Sequence, residues 1–93
     1  MKILTPNPIK HHRLEKNLEQ KQVAKELSKM LHKDIRQEHI SRWENTKSKP
    51  NKQTILAMSV VFKIDAVKFY NSIQTHFDIW RELFEKNKKE KIA

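Results

Sequence analysis

The chain contains no glycine and no cysteine, and these two absences narrow its choice of fold more than any other feature. Tight two-residue hairpins favour Asn-Gly turns, and none occurs. There is also no alternating β-branched run of the kind a half-buried strand needs. With no cysteine, no disulfide can link the chain, which fits an intracellular protein. Helix signals recur along the whole sequence instead. Ninety-three residues make one domain, able to bury about 60–65% of its unfolded surface. No apolar run is long enough for a signal peptide or a membrane span.

Five short helices are expected. Asn7 is placed to N-cap the first, with Pro8 at the first helical position, where its missing N–H costs nothing. Asn17 ends it, since asparagine tolerates the left-handed conformation. In "QKQVAKELSKMLH", Val23, Leu27, Met30 and Leu31 share one face with Ala24 beside them, which predicts an amphipathic second helix. "HKD" breaks it, and residues 37–45 form the third. Asn51 caps a fourth that turns Ile55, Met58 or Ser59, and Phe62 inward. Asp65 caps a fifth over 66–86.

Charge is unevenly spread over these elements. The net charge is +9. Residues 1–64 hold 14 Lys/Arg against 6 Asp/Glu, residues 65–85 hold 2 against 4, and the tail 86–93 holds 4 against 1. A basic domain attracts polyanions, chiefly nucleic acid, although solubility alone is also served by such a charge.

The third helix, "QEHISRWEN", has two different faces. Ile40 and Trp43 point one way, as anchors to a core. Gln37, Glu38, Ser41 and Arg42 point the other, with Asn45 continuing that face at helical spacing. The DNA major groove admits one helix and displays donors and acceptors at base edges. Gln can pair with adenine through two bonds, Arg with guanine, and Glu can accept from cytosine. Lys47, Lys49 and Lys52 follow where flanking phosphates would lie. Two plainer readings stand beside this one. Glu38 and Arg42 could form an i, i+4 surface salt bridge worth about 0.3–0.5 kcal/mol. Gln37 could fold back onto its own helix start in a capping box with Asp34.

The stretch "LEQKQVAKEL…IRQEHISRWENTKSKPNKQTILAMSVVFKID" resembles the phage-repressor-like helix-turn-helix family, the Cro and lambda-repressor class, over roughly residues 9–70. Gln20 falls at the family's glutamine that opens the second helix, and Ala24 at its small residue where the two motif helices approach. Ile40 and "SRWEN" fall on the anchoring part of the recognition helix. The resemblance implies an all-α, five-helix lambda-repressor-like domain with an extended C-terminal helix, and a sequence-specific regulator of transcription. It implies base contacts from Gln37, Glu38, Ser41 and Arg42, and backbone contacts from Gln20, Asn45, Lys47 and Lys49. Gln20 would also brace Gln37. Arg13 and Glu44 match a buried ion pair joining the first and third helices.

The sequence departs from that pattern in several places. Leu27 to Ile40 is 13 residues, longer than in most members and similar to POU-specific domains, so the second helix is expected to run to about His32. Asn17, Thr46 and Lys63 stand where glycine is frequent in the family; Thr46 and Lys63 are poor left-handed residues, so their turns are expected to differ in shape. Glu19 and Arg36 stand where Ser or Thr caps are usual, with Asp34 available to cap the third helix.

No enzyme chemistry is legible. None of His11, His12, His32, His39 and His76 is read as having the i+3 or i+4 partner of a helical metal site, and there is no cysteine, so no metal site is expected, and no cofactor either. No glycine-rich phosphate loop can form.

In the last helix, Tyr70, Ile73, Phe77, Trp80 and Phe84 step by three and four residues in an a/d stripe. Its first two turns suffice to complete a five-helix core, so the stripe is expected to be a dimer interface. The segment's net acidity disfavours anionic membrane. The expected organisation is a DNA-binding core over 1–64, a C-terminal helix over 65–86 that completes the core and dimerises, and a basic tail over 87–93. The expected partners are double-stranded DNA and a second copy of the chain, in the cytoplasm at the nucleoid. The rival is an antitoxin-like interaction protein that uses the same helix to hold an unlike protein.

Overall fold

The computed structural model describes residues 7–92, with side chains from 7 to 83. Among the described residues there are five helices and no strand: α1 (Pro8–Glu15), α2 (Gln20–Leu31), α3 (Gln37–Glu44), α4 (Lys52–Phe62) and α5 (Ala66–Ile92). No helix among them is long and apolar enough to cross a membrane.

Each helix starts where a side chain can take up a free backbone N–H. Asn7 Oδ1 accepts from the N–H of Ile9 (2.9 Å) and of Lys10 (3.2 Å), with Pro8 in the first turn. Asn51 Oδ1 accepts from Thr54 N–H and Asp65 Oδ1 from Lys68 N–H, each at 2.9 Å. The two starts without an Asn or Asp cap, at Glu19 and Arg36, are served from inside the helix. Gln22 Oε1 accepts from Glu19 N–H at 2.7 Å, and His39 Nδ1 accepts from Arg36 N–H at 2.9 Å. These are the reciprocal halves of capping boxes. Asp34 pairs with the Arg36 side chain at 3.0 Å and leaves Gln37 alone, so Gln37 is not tied to its own helix start.

The long connection between α2 and α3 is pinned by Ser28. Its hydroxyl donates to Ala24 O at 2.8 Å and accepts from Ile35 N–H at 3.0 Å. Helix α2 stops at Leu31, with His32 as its left-handed C-cap, as the spacing predicts.

The core lies between α2, α3, α4 and α5, with α1 packed across α3 and α5. Ile9, Val23, Leu27, Ile40, Ile55, Met58, Phe62, Phe69 and Ile73 are fully buried. Each such side chain stabilises the fold by about 1.5–3 kcal/mol relative to exposure. The expected inward residues of α4 are all inside. Met30 is a correction. It is 40% exposed and sits at the edge of α2 beside a surface groove bordered by Leu18, Val60 and Val61.

Helix α5 is also corrected. Phe69, Ile73, His76 and Phe77 are buried in the chain's own core, so the core uses three turns of this helix rather than two.

Among the described residues, four adopt positive φ: Asn17 (56°), His32 (54°), Thr46 (58°) and Lys63 (57°). The turns therefore keep the left-handed form despite lacking glycine, contrary to the expected change of shape. For an L-residue this conformation costs about 1–2 kcal/mol, and most for a β-branched one such as Thr46. Bonds from other elements hold Thr46 there. Its Oγ1 accepts from Asn7 Nδ2 at 3.3 Å and lies 3.0 Å from His76 Nε2.

Candidate nucleic-acid interface

Helix α3 is amphipathic as its spacing requires. Ile40 and Trp43 are buried, while Gln37, Glu38 and Arg42 are exposed and Ser41 is half-buried. The nearby surface ion pair joins Arg36 to Asp34. Glu38 and Arg42 instead face outward around a shallow cleft with Asp34, Arg36 and His39.

A polar relay fixes this face to the rest of the domain. Glu44 projects inward from α3 with its side chain 3% exposed. Its Oε2 accepts from Arg13 Nε at 2.5 Å and its Oε1 from Arg13 Nη2 at 3.1 Å, a two-pronged pairing from α1. Arg13 Nη1 also donates to Leu18 O at 2.8 Å. Glu44 Oε1 accepts a further bond from Gln20 Nε2 at 3.1 Å. Gln20 Oε1 in turn accepts from Gln37 Nε2 at 3.2 Å. The relay runs from a buried ion pair, through the first residue of α2, to the first residue of α3. Gln37 keeps its Oε1 and its second amide hydrogen. These are the two groups needed for a paired contact to an adenine edge.

The other end of α3 is fastened by Asn7, the residue that also caps α1. Its Nδ2 donates to Trp43 O at 2.9 Å and to Thr46 Oγ1. One asparagine thus starts α1 and satisfies a carbonyl in the last turn of α3. Beyond it, Lys47, Lys49 and Lys52 are all exposed. Lys52 Nζ lies 5.9 Å from the centroid of the Tyr70 ring. Asn45 turns back on its own helix, with Nδ2 donating to Ser41 O at 2.9 Å, so its amide hydrogens are directed inward.

Buried His76 has its pKa lowered by desolvation, which favours the neutral ring. Its Nδ1 has no hydrogen-bond partner.

The expected dimer stripe divides. Ile73 and Phe77 lie in the chain's own core, and Tyr70 is half-buried against it. Trp80 is 42% exposed and borders a cleft with Thr46, Lys47, Lys49 and Arg81. The Phe84 side chain and the tail over 87–93 lie outside the residues whose side chains are described.

On α1, beside the cleft between α1 and α5, His11, His12 and Glu15 come together with ligand atoms within 4.8 Å of one another. This corrects the expectation that no histidine has a ligand partner at i+3 or i+4, because Glu15 stands at i+4 from His11 and i+3 from His12.

A short all-α domain in which one helix braces a second, and the second shows a polar face beside a lysine-rich loop, has helix-turn-helix architecture. The chain belongs to the helix-turn-helix family, whose model matches residues 9–69. It is a lambda-repressor-like all-α domain and a DNA-binding regulator of transcription. No curated protein and no solved structure matches the chain.

Proposed function

We propose that the protein binds double-stranded DNA sequence-specifically by laying α3 in the major groove. Gln37, Glu38, Ser41 and Arg42 meet base edges. Gln20, Lys47 and Lys49 meet the phosphate backbone, and Asn45 would join them if its amide turned outward from Ser41. The observation that carries the reading is the bond from Gln37 to Gln20, itself anchored on Glu44. A solvent-facing glutamine on an ordinary surface helix has no need of a brace rooted in a buried ion pair. A base-reading side chain does, because bidentate pairing depends on orientation.

Two copies would read half-sites about 34 Å apart. Pairing is assigned to the distal part of α5, where Ile79 and Trp80 are the exposed large apolar residues. The basic DNA-facing part repels its own copy, whereas residues 65–85 are net acidic. The long connection before α3 favours the POU-specific variety of the fold. Action on chromosomal DNA would put the protein at the nucleoid.

Selection of bound duplexes from a random pool tests this reading. Enrichment of one motif, repeated with two-fold symmetry about one helical turn apart, is the expected result. Recovery of unenriched sequence would remove base reading.

A further inference from the structure

The group on α1 has the chemistry of a metal site and lies apart from the polar face of α3. Glu15 is four residues after His11 and three after His12, so its one carboxylate spans both rings. Oε2 lies 3.6 Å from His11 Nε2, and Oε1 lies 3.3 Å from His12 Nδ1. Ligand atoms bonded to tetrahedral zinc at about 2.0–2.1 Å sit roughly 3.3 Å from one another. Both His–Glu separations are close to that spacing. The three donor atoms span at most 4.8 Å, and His11, 53% exposed, is free to rotate inward.

A second observation points the same way. His12 Nδ1 is buried and makes no hydrogen bond, although a carboxylate oxygen is beside it. A buried polar atom left without a hydrogen bond is destabilising, and a metal bond would satisfy it. The His12 ring is also held in place, edge-on to Phe69 at 5.5 Å and stacked with Phe62 at 6.3 Å between centroids. A fixed ring with an unused nitrogen is a preorganised ligand. The buried His76, whose Nδ1 is likewise unpartnered, lines the same cleft between α1 and α5 as His11 and His12.

We infer that α1 carries a binding site for a zinc-like divalent ion, with His11 Nε2, His12 Nδ1 and the Glu15 carboxylate as its ligands. The fourth position faces water or the cleft. Two imidazoles and one carboxylate suit zinc, and disfavour magnesium and calcium, which take oxygen ligands. The site stands on α1 alone and does not depend on how α3 meets DNA.

Zinc and cobalt titrations of the untagged full chain test the inference. One ion should bind per chain at submillimolar zinc, and the cobalt form should show the visible absorption of a tetrahedral site. His12 packs against the core, so the exposed ligands carry the mutational test. His11→Ala and Glu15→Gln should each weaken zinc binding by about tenfold or more, with unchanged circular dichroism. His32→Ala, on the linker after α2, should bind as wild type does. Absence of saturable binding, or binding that His11→Ala and Glu15→Gln leave unchanged, overturns the assignment.

Discussion

Gln37 donates from Nε2 to Gln20 Oε1 across 3.2 Å, joining the first residue of α3 to the first residue of α2. The aim of the leading polar side chain on the reading face is therefore set by another helix. If Gln20 acts on DNA partly through Gln37, the two are energetically coupled. Gln20→Ala and Gln37→Ala should each weaken binding to the selected duplex. The double variant should lose less than the sum, by a coupling of about 0.5–3 kcal/mol. Additive losses in anisotropy titrations would show that the bond does not serve recognition.

Glu44 and Arg13 are nearly enclosed, at 3% and 12% side-chain exposure. Glu44→Ala strands the guanidinium and frees Gln20 from its anchor. Removing one partner of a buried pair costs about 3–5 kcal/mol. Urea denaturation followed by circular dichroism should show that loss, and an unchanged midpoint would contradict it.

The left-handed turns make opposite predictions at two positions. Lys63 is exposed with φ of 57°, so Lys63→Gly should stabilise the fold by about 0.5–1 kcal/mol through relief of strain. Thr46→Gly relieves the same strain but removes the hydroxyl that meets Asn7 and His76, so it should destabilise. Melting curves of the two variants shifting in the same direction would refute the distinction.

Assembly is tested at Trp80, since Phe77 is needed by the core. Phe77→Ala should cost about 3–5 kcal/mol of stability and says little about pairing. Trp80→Ala should leave the fold intact and turn a dimer into a monomer in sedimentation at equal concentration. A wild type already monomeric at high micromolar concentration, or a variant that stays dimeric, would move the interface elsewhere and favour an unlike protein partner.

Much of this was legible in the sequence, for physical reasons that differ by residue. Asn7, Asn51 and Asp65 are local caps, and local capping is readable from neighbours. Ile40, Trp43, Ile55 and Phe62 follow helical periodicity into the core. The relay through Arg13, Glu44, Gln20 and Gln37 was approachable only through family resemblance, since no periodicity relates residues on three helices. Asn7's bonds to Trp43 and Thr46 span 36 and 39 residues and have no local signal. The stripe on α5 misled because a helix buried on one side and a helix paired with a copy show the same apolar spacing. How far the core reaches along α5 is set by where α1 and α4 lie against it.

The most direct test of base reading compares Arg42→Ala and Lys47→Ala on the selected duplex and on random duplex over a range of salt. Arg42→Ala should cost about 1–3 kcal/mol on the selected duplex only, and relax preference at one base pair per half-site. Lys47→Ala should weaken both duplexes alike and flatten the salt dependence by about one unit per half-site. Equal losses on both duplexes for Arg42→Ala would contradict base reading by α3.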